Sequence, residues 1–291
     1  MIGRTRGATE AENVVDALIQ GPHGPIPVRR YAPPTGTALT RTALTRTAPI
    51  VWVHGGAFVK GGLDLPETHE VARALAGAGF TVITVDYRLA SMPGLNRFGR
   101  ASVPTRRIRY PVPVDDVVAV VQAVQAEFGD GVILGGASAG ACLSAGAALR
   151  LADGAAPLRG VFFTYGLFHA SLPERSREVR SRLRGRRRLT HTPLLLNLVN
   201  RNYAGSRAAL SEAHAFPGGH QLPGFPPALL IDAESDSMRA SGERFAKELV
   251  AARVPVEYHV LPGTAHAFLN RPLDPGFTEG IRLIVAWARL L

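Results

Sequence analysis

Ser138 lies in Gly136-Ala137-Ser138-Ala139-Gly140, between the apolar run Val132 to Leu134 and a stretch of small residues with helical character. Small-residue sequences produce Gly-x-Ser-x-Gly by chance, so the pentapeptide gains weight only from its setting of strand, sharp turn and helix. Glycines on either side let the backbone turn tightly, which would hold the serine oxygen up at the edge of a sheet. A serine hydroxyl attacks a carbonyl carbon only when a base takes its proton, an acid orients that base and fixed donors hold the resulting oxyanion.

Each of these groups has a candidate. His54-Gly55-Gly56-Ala57 follows a strand ending at Val53. The backbone N–H groups of Gly55, Gly56 and Ala57 are candidate oxyanion donors, with the N–H of Ala139 beside the serine as their partner. Nine histidines compete for the base. His266 stands just after the final predicted strand, in Pro262-Gly263-Thr264-Ala265-His266-Ala267-Phe268, where a base must emerge to face the serine. His54 belongs to the donor loop and His259 lies inside a strand. His23, His69, His169, His191, His214 and His220 fall in loops, helix surfaces or an inserted segment. Asp236, 98 residues after Ser138 and 30 before His266, is the candidate acid, with Asp232 and Glu234 as rivals in the same segment. The order Ser, Asp, His suits a parallel sheet that carries all three at one edge. There is no HExxH, no Cys/His pairing and no phosphate loop, so neither a metal nor a cofactor is expected.

The elements that must position these groups follow from periodicity. Strands are expected at Val14 to Gln20 and Ile26 to Tyr31, joined by a turn over 21–25, then at Ile50 to Val53, Phe80 to Asp86, Val132 to Leu134, Val161 to Thr164, Ala228 to Asp232 and Val256 to Leu261. Between them Val71, Ala74, Leu75 and Ala78 fall at helical spacing, as do Val117, Val121, Val124 and Phe128, the latter helix opened by Asp115 and Asp116 at its positive end. Phe245 and Leu249 mark another helix, and Ile281, Ile284, Val285 and Ala288 the last one. Strands alternating with helices predict a mostly parallel central sheet of about eight strands covered on both faces. Residues 166–226 break the alternation and are too long for a crossover loop, so they are expected to form a helical cap over the sheet's C-terminal edge. The core is then 1–165 with 227–291, and the N-terminal residues could join the cap. Ser91 to Pro113 reads as a smaller inserted loop, and the tandem Thr-Ala-Leu-Thr-Arg over 37–46 as a lengthened surface loop.

Composition narrows the function classes. With 46% hydrophobic and 19% charged residues, the chain has material for a large core and too little charge for disorder. The net charge is +10, and a local +7 falls between Arg175 and Arg188, where eight arginines face only Glu178. Because the run lies outside every motif that carries chemistry, it demotes nucleic acid, membrane and anionic ligand as primary partners. What it leaves open is steering of a carboxylate-bearing substrate at the mouth of a site. The uncharged stretch Gly131 to Leu149 could span a bilayer in length, but reads better as a buried strand and a closely packed helix. A single cysteine, Cys142, and the absence of an apolar leader in Met1 to Glu12 lead to the expectation of a cytoplasmic location.

Taken together, these motifs resemble the hormone-sensitive-lipase-like bacterial carboxylesterases of the α/β-hydrolase fold. Gly21 to Pro34 is similar to their N-terminal hairpin, His54 to Gly56 to their oxyanion loop and Asp86-Tyr87-Arg88-Leu89 to the strand end that follows it. Tyr110 to Val118 is similar to their P-x-x-x-D-D helix start, Gly136 to Gly140 to their nucleophile motif, Asp236-Ser237-Met238-Arg239 to D-P-L-R, and His266-Ala267-Phe268 to H-G-F. Ala57 stands where a third glycine is usual, Ala137 where an acidic residue is frequent and Ala141 where a glycine is frequent. The resemblance implies hydrolysis of a small carboxylic ester with a short to medium acyl chain through Ser138, His266 and Asp236. It implies no nucleic-acid partner and no membrane span, and it leaves room for a homodimer. The same triad would also serve an acyltransferase, a lactonase or a biosynthetic enzyme acting on one metabolite, and the arginine run keeps an anionic-surface binder as a third class.

Overall fold

The computed structural model describes residues 13–34, 47–91, 108–129, 131–152, 154, 157–183 and 192–291. Strands β1 (Val14–Gly21), β2 (Gly24–Tyr31), β3 (Ile50–Val53), β4 (Val82–Val85), β5 (Ile133–Ala137), β6 (Gly160–Thr164), β7 (Ala228–Ser235) and β8 (Val256–Ala265) form one sheet. Their order is β1-β2-β4-β3-β5-β6-β7-β8. The hairpin β1-β2 is antiparallel, β2 joins β4 antiparallel, and every pairing from β4 through β8 is parallel. This is the α/β-hydrolase fold that the sequence leads one to expect.

Alternation along each strand divides the core into two layers. Val51, Val53, Leu134, Val161, Phe163 and Leu230 face one side, packed by α2 (Val112–Phe128), α3 (Ala139–Leu151) and α7 (Arg239–Ala251). Ile50, Trp52, Ile133, Phe162, Leu229 and Ile231 face the other, packed by α1 (Pro66–Gly77) and α8 (Pro275–Ala288). The central strand owes its place to an absent side chain. Gly135 is in register with Trp52 on β3 and Phe162 on β6. The two rings lean over it and stack with centroids 5.4 Å apart, and a Cβ on Gly135 would fall 2.1 Å from the Phe162 ring.

Several boundaries differ from the sequence expectation. Helix α2 starts at Val112, because Pro113 is tolerated in a first turn. Asp116 therefore does not sit at the helix end; it is buried and takes the Arg88 side chain and the Arg88 N–H, the latter at 2.9 Å. The same guanidinium reaches the carbonyls of His23 and Pro25, so it ties the β1-β2 turn to the sheet. Strand β8 runs four residues past Leu261, to Ala265. Between β6 and β7 lie α4 (Arg177–Arg182), α5 (Pro193–Ala204) and α6 (Arg207–Leu210). The tandem repeat, most of the Ser91 to Pro113 loop, Met1 to Glu12 and Arg184 to Arg188 lie outside the described residues.

Replacing Gly135 by Ala should cost about 1–3 kcal/mol, because the stacked rings leave no room for a methyl group. Urea unfolding reads this as a lower midpoint at unchanged slope. An unaltered midpoint would mean that the rings can part freely.

Candidate active site

Parallel strands deliver their C-terminal ends to one edge, and that edge gathers the chemistry. Val53 on β3 is in register with Gly136 on β5, Ala137 with Thr164 on β6, Thr164 with Ile231 on β7, and Ser235 with Ala265 on β8. The next residue on β3, β5, β7 and β8 is His54, Ser138, Asp236 and His266 respectively.

Ser138 occupies a conformation that L-residues rarely adopt, φ 52° and ψ −116°. Two glycines permit it. A Cβ on Gly136 would lie 2.4 Å from the Gly140 carbonyl oxygen, and one on Gly140 would lie 2.2 Å from that of Val53. The start of α3 therefore rests directly on the backbone leaving β3. The Ser138 N–H donates to the Thr164 carbonyl at 2.9 Å, and the Ser138 carbonyl accepts the Ala141 N–H at 3.1 Å.

The Ser138 hydroxyl lies 3.0 Å from His266 Nε2, and His266 Nδ1 lies 2.6 Å from Asp236 Oδ2. Asp236 is buried, and its other oxygen accepts the Met238 N–H at 3.0 Å. The His266 ring packs edge-on to Tyr165, centroids 5.1 Å apart. Both rival acids are engaged elsewhere. Asp232 is buried against Gly242 and accepts the Tyr258 hydroxyl at 3.0 Å, while burial holds its carboxyl well above the usual range. Glu234 accepts the Gly263 N–H at 3.0 Å and pairs with Arg182.

The loop after β3 is strained in sequence order: φ is 117° at Gly56, 56° at Ala57 and 64° at Phe58. Only glycine fits at 56, since a Cβ would fall 1.9 Å from the Lys60 carbonyl oxygen. Ala57 holds a left-handed conformation that costs an L-residue about 1–2 kcal/mol, which is why glycine is the usual choice there. The Gly56 carbonyl closes the turn by accepting the N–H groups of Val59 and Lys60, both at 3.1 Å. The N–H groups of Gly56, Ala57 and Ala139 carry no hydrogen bond to a described residue. Gly55 differs: its N–H is spent on Glu67 Oε1 at 2.6 Å, which removes it from the expected donor set.

Sequence reasoning missed Glu67. An acidic residue in the first turn of a helix reads as a dipole partner, and no local signal marks it as buried. Desolvation pushes its carboxyl up, opposed by hydrogen bonds from Tyr165 and Gly55 and by the charge of His266. Sequence reasoning also missed the cavity lining. The space in front of Ser138 measures about 960 Å³ and is bounded by Leu167, Leu195, Leu196, Val199 and Met238 on its apolar side. Its basic lining residues among those described are Arg29 and Lys60, neither from the arginine run. Within that stretch Arg175 braces the Asp236 loop by donating to Ser237 Oγ at 3.3 Å, Glu178 receives both Nη atoms of Arg239 at 3.2 Å, and Arg180 and Arg182 pair with Glu174 and Glu234.

His54 is buried, stacks on Tyr87 at 4.5 Å, and its Nδ1 lies 2.7 Å from the Gly55 carbonyl, which it can meet only as an N–H donor. Burial pushes its pKa down from 6.5 to about 4. On acidification the unfolded chain gains this proton first, so the stability held above about pH 6.5 should fall by roughly 3 kcal/mol as pH drops to about 4. Denaturant titrations of wild type and His54→Gln across that range test the point. The variant should lose less stability, and parallel profiles would contradict the assignment.

The family model described as alpha/beta hydrolase fold matches residues 50–97 and 104–270. The esterase LipI of Mycobacterium tuberculosis is 32% identical over 276 residues, covering 88% of this chain and 75% of that protein. The carboxylesterase NlhH of the same species is 32% identical over 256 residues, covering 84% and 72%. The solved esterase of Pyrobaculum calidifontis superposes with a TM-score of 0.78 at 27% identity, covering 95% of this chain and 85% of that one. With these matches added to the sheet order and the motifs at its edge, the chain belongs to the α/β-hydrolases, in their hormone-sensitive-lipase-like carboxylesterase branch.

Proposed function

We propose that this carboxylesterase-like enzyme hydrolyses carboxylic esters of short to medium acyl chain through an acyl-enzyme on Ser138. The observation that carries the proposal is the hydrogen-bonded line Ser138–His266–Asp236, opening on a cavity beside the N–H groups of Gly56, Ala57 and Ala139. Ser138 Oγ attacks the acyl carbon while His266 Nε2 accepts its proton. Asp236, buried and fixed by the Met238 N–H, holds the ring in the tautomer with Nδ1–H and stabilises the imidazolium. The carbonyl oxygen becomes an oxyanion received by the three N–H groups, whose directions are set before any charge develops. Collapse expels the alcohol, which takes the proton from His266. Water, deprotonated by the same nitrogen, then attacks the acyl carbon and releases the acid.

Residues 166–226 act, in this proposal, as a cap on a core of 1–165 and 227–291. The support is that Leu167, Leu195, Leu196 and Val199 from this segment line the cavity, and Tyr203 stacks on Phe58 of the donor loop at 4.1 Å. An apolar wall of leucine, valine and methionine suits an aliphatic acyl chain, while a cavity of about 960 Å³ limits its length.

A panel of p-nitrophenyl esters with acyl chains of about two to sixteen carbons should give its highest kcat/KM at about four to eight carbons. Ser138→Ala should lose hydrolysis of every member, by about 10⁴-fold or more, with an unchanged unfolding midpoint. Full activity in that variant would refute the assignment of the nucleophile. A maximum at the longest chains would refute the acyl-length reading.

A further inference from the structure

Glu67 stands in the first turn of α1, buried beneath the donor loop, and no step above uses it. Its Oε1 accepts the Gly55 N–H at 2.6 Å. Its Oε2 accepts the Tyr165 hydroxyl at 2.6 Å and Asn270 Nδ2 at 3.0 Å. The Glu67 N–H is returned to Asn270 Oδ1 at 3.3 Å, and its carbonyl takes Trp52 Nε1–H at 2.8 Å, which pins the start of the helix. All three partners of the carboxylate are donors, as the ionised form requires. A carboxylate kept inside a protein with so complete a set of donors is held in one position.

Those partners belong to both halves of the proposed machinery. Gly55 precedes the turn that presents the Gly56 and Ala57 N–H groups. Tyr165 packs edge-on against His266, and Asn270 closes the turn that follows it, over Phe268–Asn270. The donor loop also needs restraint, because three consecutive residues in it hold positive φ and two of them are not glycine. Hydrogen bonds to the Gly56 carbonyl fix its far side. On its near side Glu67 takes the Gly55 N–H, while His54 Nδ1 donates to the Gly55 carbonyl at 2.7 Å and the Tyr87 hydroxyl to the His54 carbonyl at 3.1 Å.

We infer that Glu67 is a positioning residue for ester hydrolysis: its carboxylate holds Gly55, so aiming the Gly56 and Ala57 N–H groups, and ties that loop to the His266 segment through Tyr165 and Asn270. The inference rests on the hydrolytic reading of Ser138. Electrostatic stabilisation by backbone dipoles depends on their being fixed before the oxyanion forms, and a displacement of about 1 Å in such a group can cost about 100-fold in rate. In the proposed reaction the acyl chain is held by the apolar cavity wall, which does not depend on the Gly56 and Ala57 N–H groups. Releasing the loop therefore weakens the transition state more than the Michaelis complex, and the effect falls on kcat rather than KM.

The test compares Glu67→Met, of similar length but without an acceptor, with Glu67→Gln. The glutamine can keep its oxygen on the Gly55 N–H and turn its NH₂ to the Tyr165 oxygen, losing only the bond from Asn270 Nδ2. Wild type and Ser138→Ala run beside them, so that loss of the hydrolytic reading shows there and not at Glu67. Glu67→Met should lower kcat roughly 10- to 100-fold with KM within about twofold, and should weaken inhibition by an alkyl trifluoromethyl ketone, whose adduct carries the oxyanion, by a similar factor. Glu67→Gln should recover most of both. Full kcat in Glu67→Met, or a loss of kcat with undiminished ketone affinity, overturns the inference. Should Glu67→Met fail to fold, Asn270→Ala, which removes one donor to the carboxylate, is expected to move kcat and ketone affinity in the same direction. Unchanged values there overturn the inference too.

Discussion

The turn at Ser138 is the constraint on which the rest of the site depends. Gly136 and Gly140 carry no side chain, so α3 starts in contact with the backbone of Val53 and His54. That contact does two things at once. It forces the serine into its strained conformation and it brings the donor loop after β3 up to the first N–H of α3. A methyl group at either glycine would push the two backbones apart and separate Ser138 from the proposed oxyanion donors. Beneath this turn, in the strand that leads into it, the Trp52–Phe162 stack closes over Gly135.

A second layer of restraint surrounds that turn, and it is polar. The Asp236 loop is braced by the Met238 N–H, by Arg175 on Ser237 and by the pairing of Arg239 with Glu178. Arg175 of the arginine run thus gains a structural use beside Asp236, and the described arginines of the run are not at the cavity lining. The donor loop is braced from below by Glu67, which also reaches Tyr165 and Asn270. His54, kept neutral by burial, bonds the Gly55 carbonyl from the other side. Two buried side chains thus hold the peptide groups on both sides of Gly55, one through its N–H and one through its carbonyl.

Much of this was legible in the sequence, for physical reasons that differ from residue to residue. The strands of the parallel sheet declare themselves because burial on both faces demands short apolar runs such as Ile50 to Val53 and Val161 to Thr164. Ser138 and the loop after Val53 are visible because close backbone approach requires glycine and small residues locally. Asp236 and His266 could be chosen from their rivals only through order and strand ends, and the geometry separates them sharply from Asp232 and Glu234. That the Gly55 N–H is taken by Glu67 is not legible in the sequence, because the bond joins residues 12 positions apart through a carboxylate whose burial no periodicity reveals. The leucines of α5 that line the cavity were equally hidden, since a helical apolar pattern does not say which face meets a site.

The central claim is that the strained serine at this edge is the nucleophile. Its most direct test is covalent trapping with an alkyl fluorophosphonate, which reacts with serine hydroxyls that a neighbouring base has activated. Peptide mass mapping after brief exposure should find a single phosphonyl adduct on Ser138, formed in step with loss of ester hydrolysis. An adduct on any other residue, or complete inactivation with Ser138 unmodified, would contradict the account.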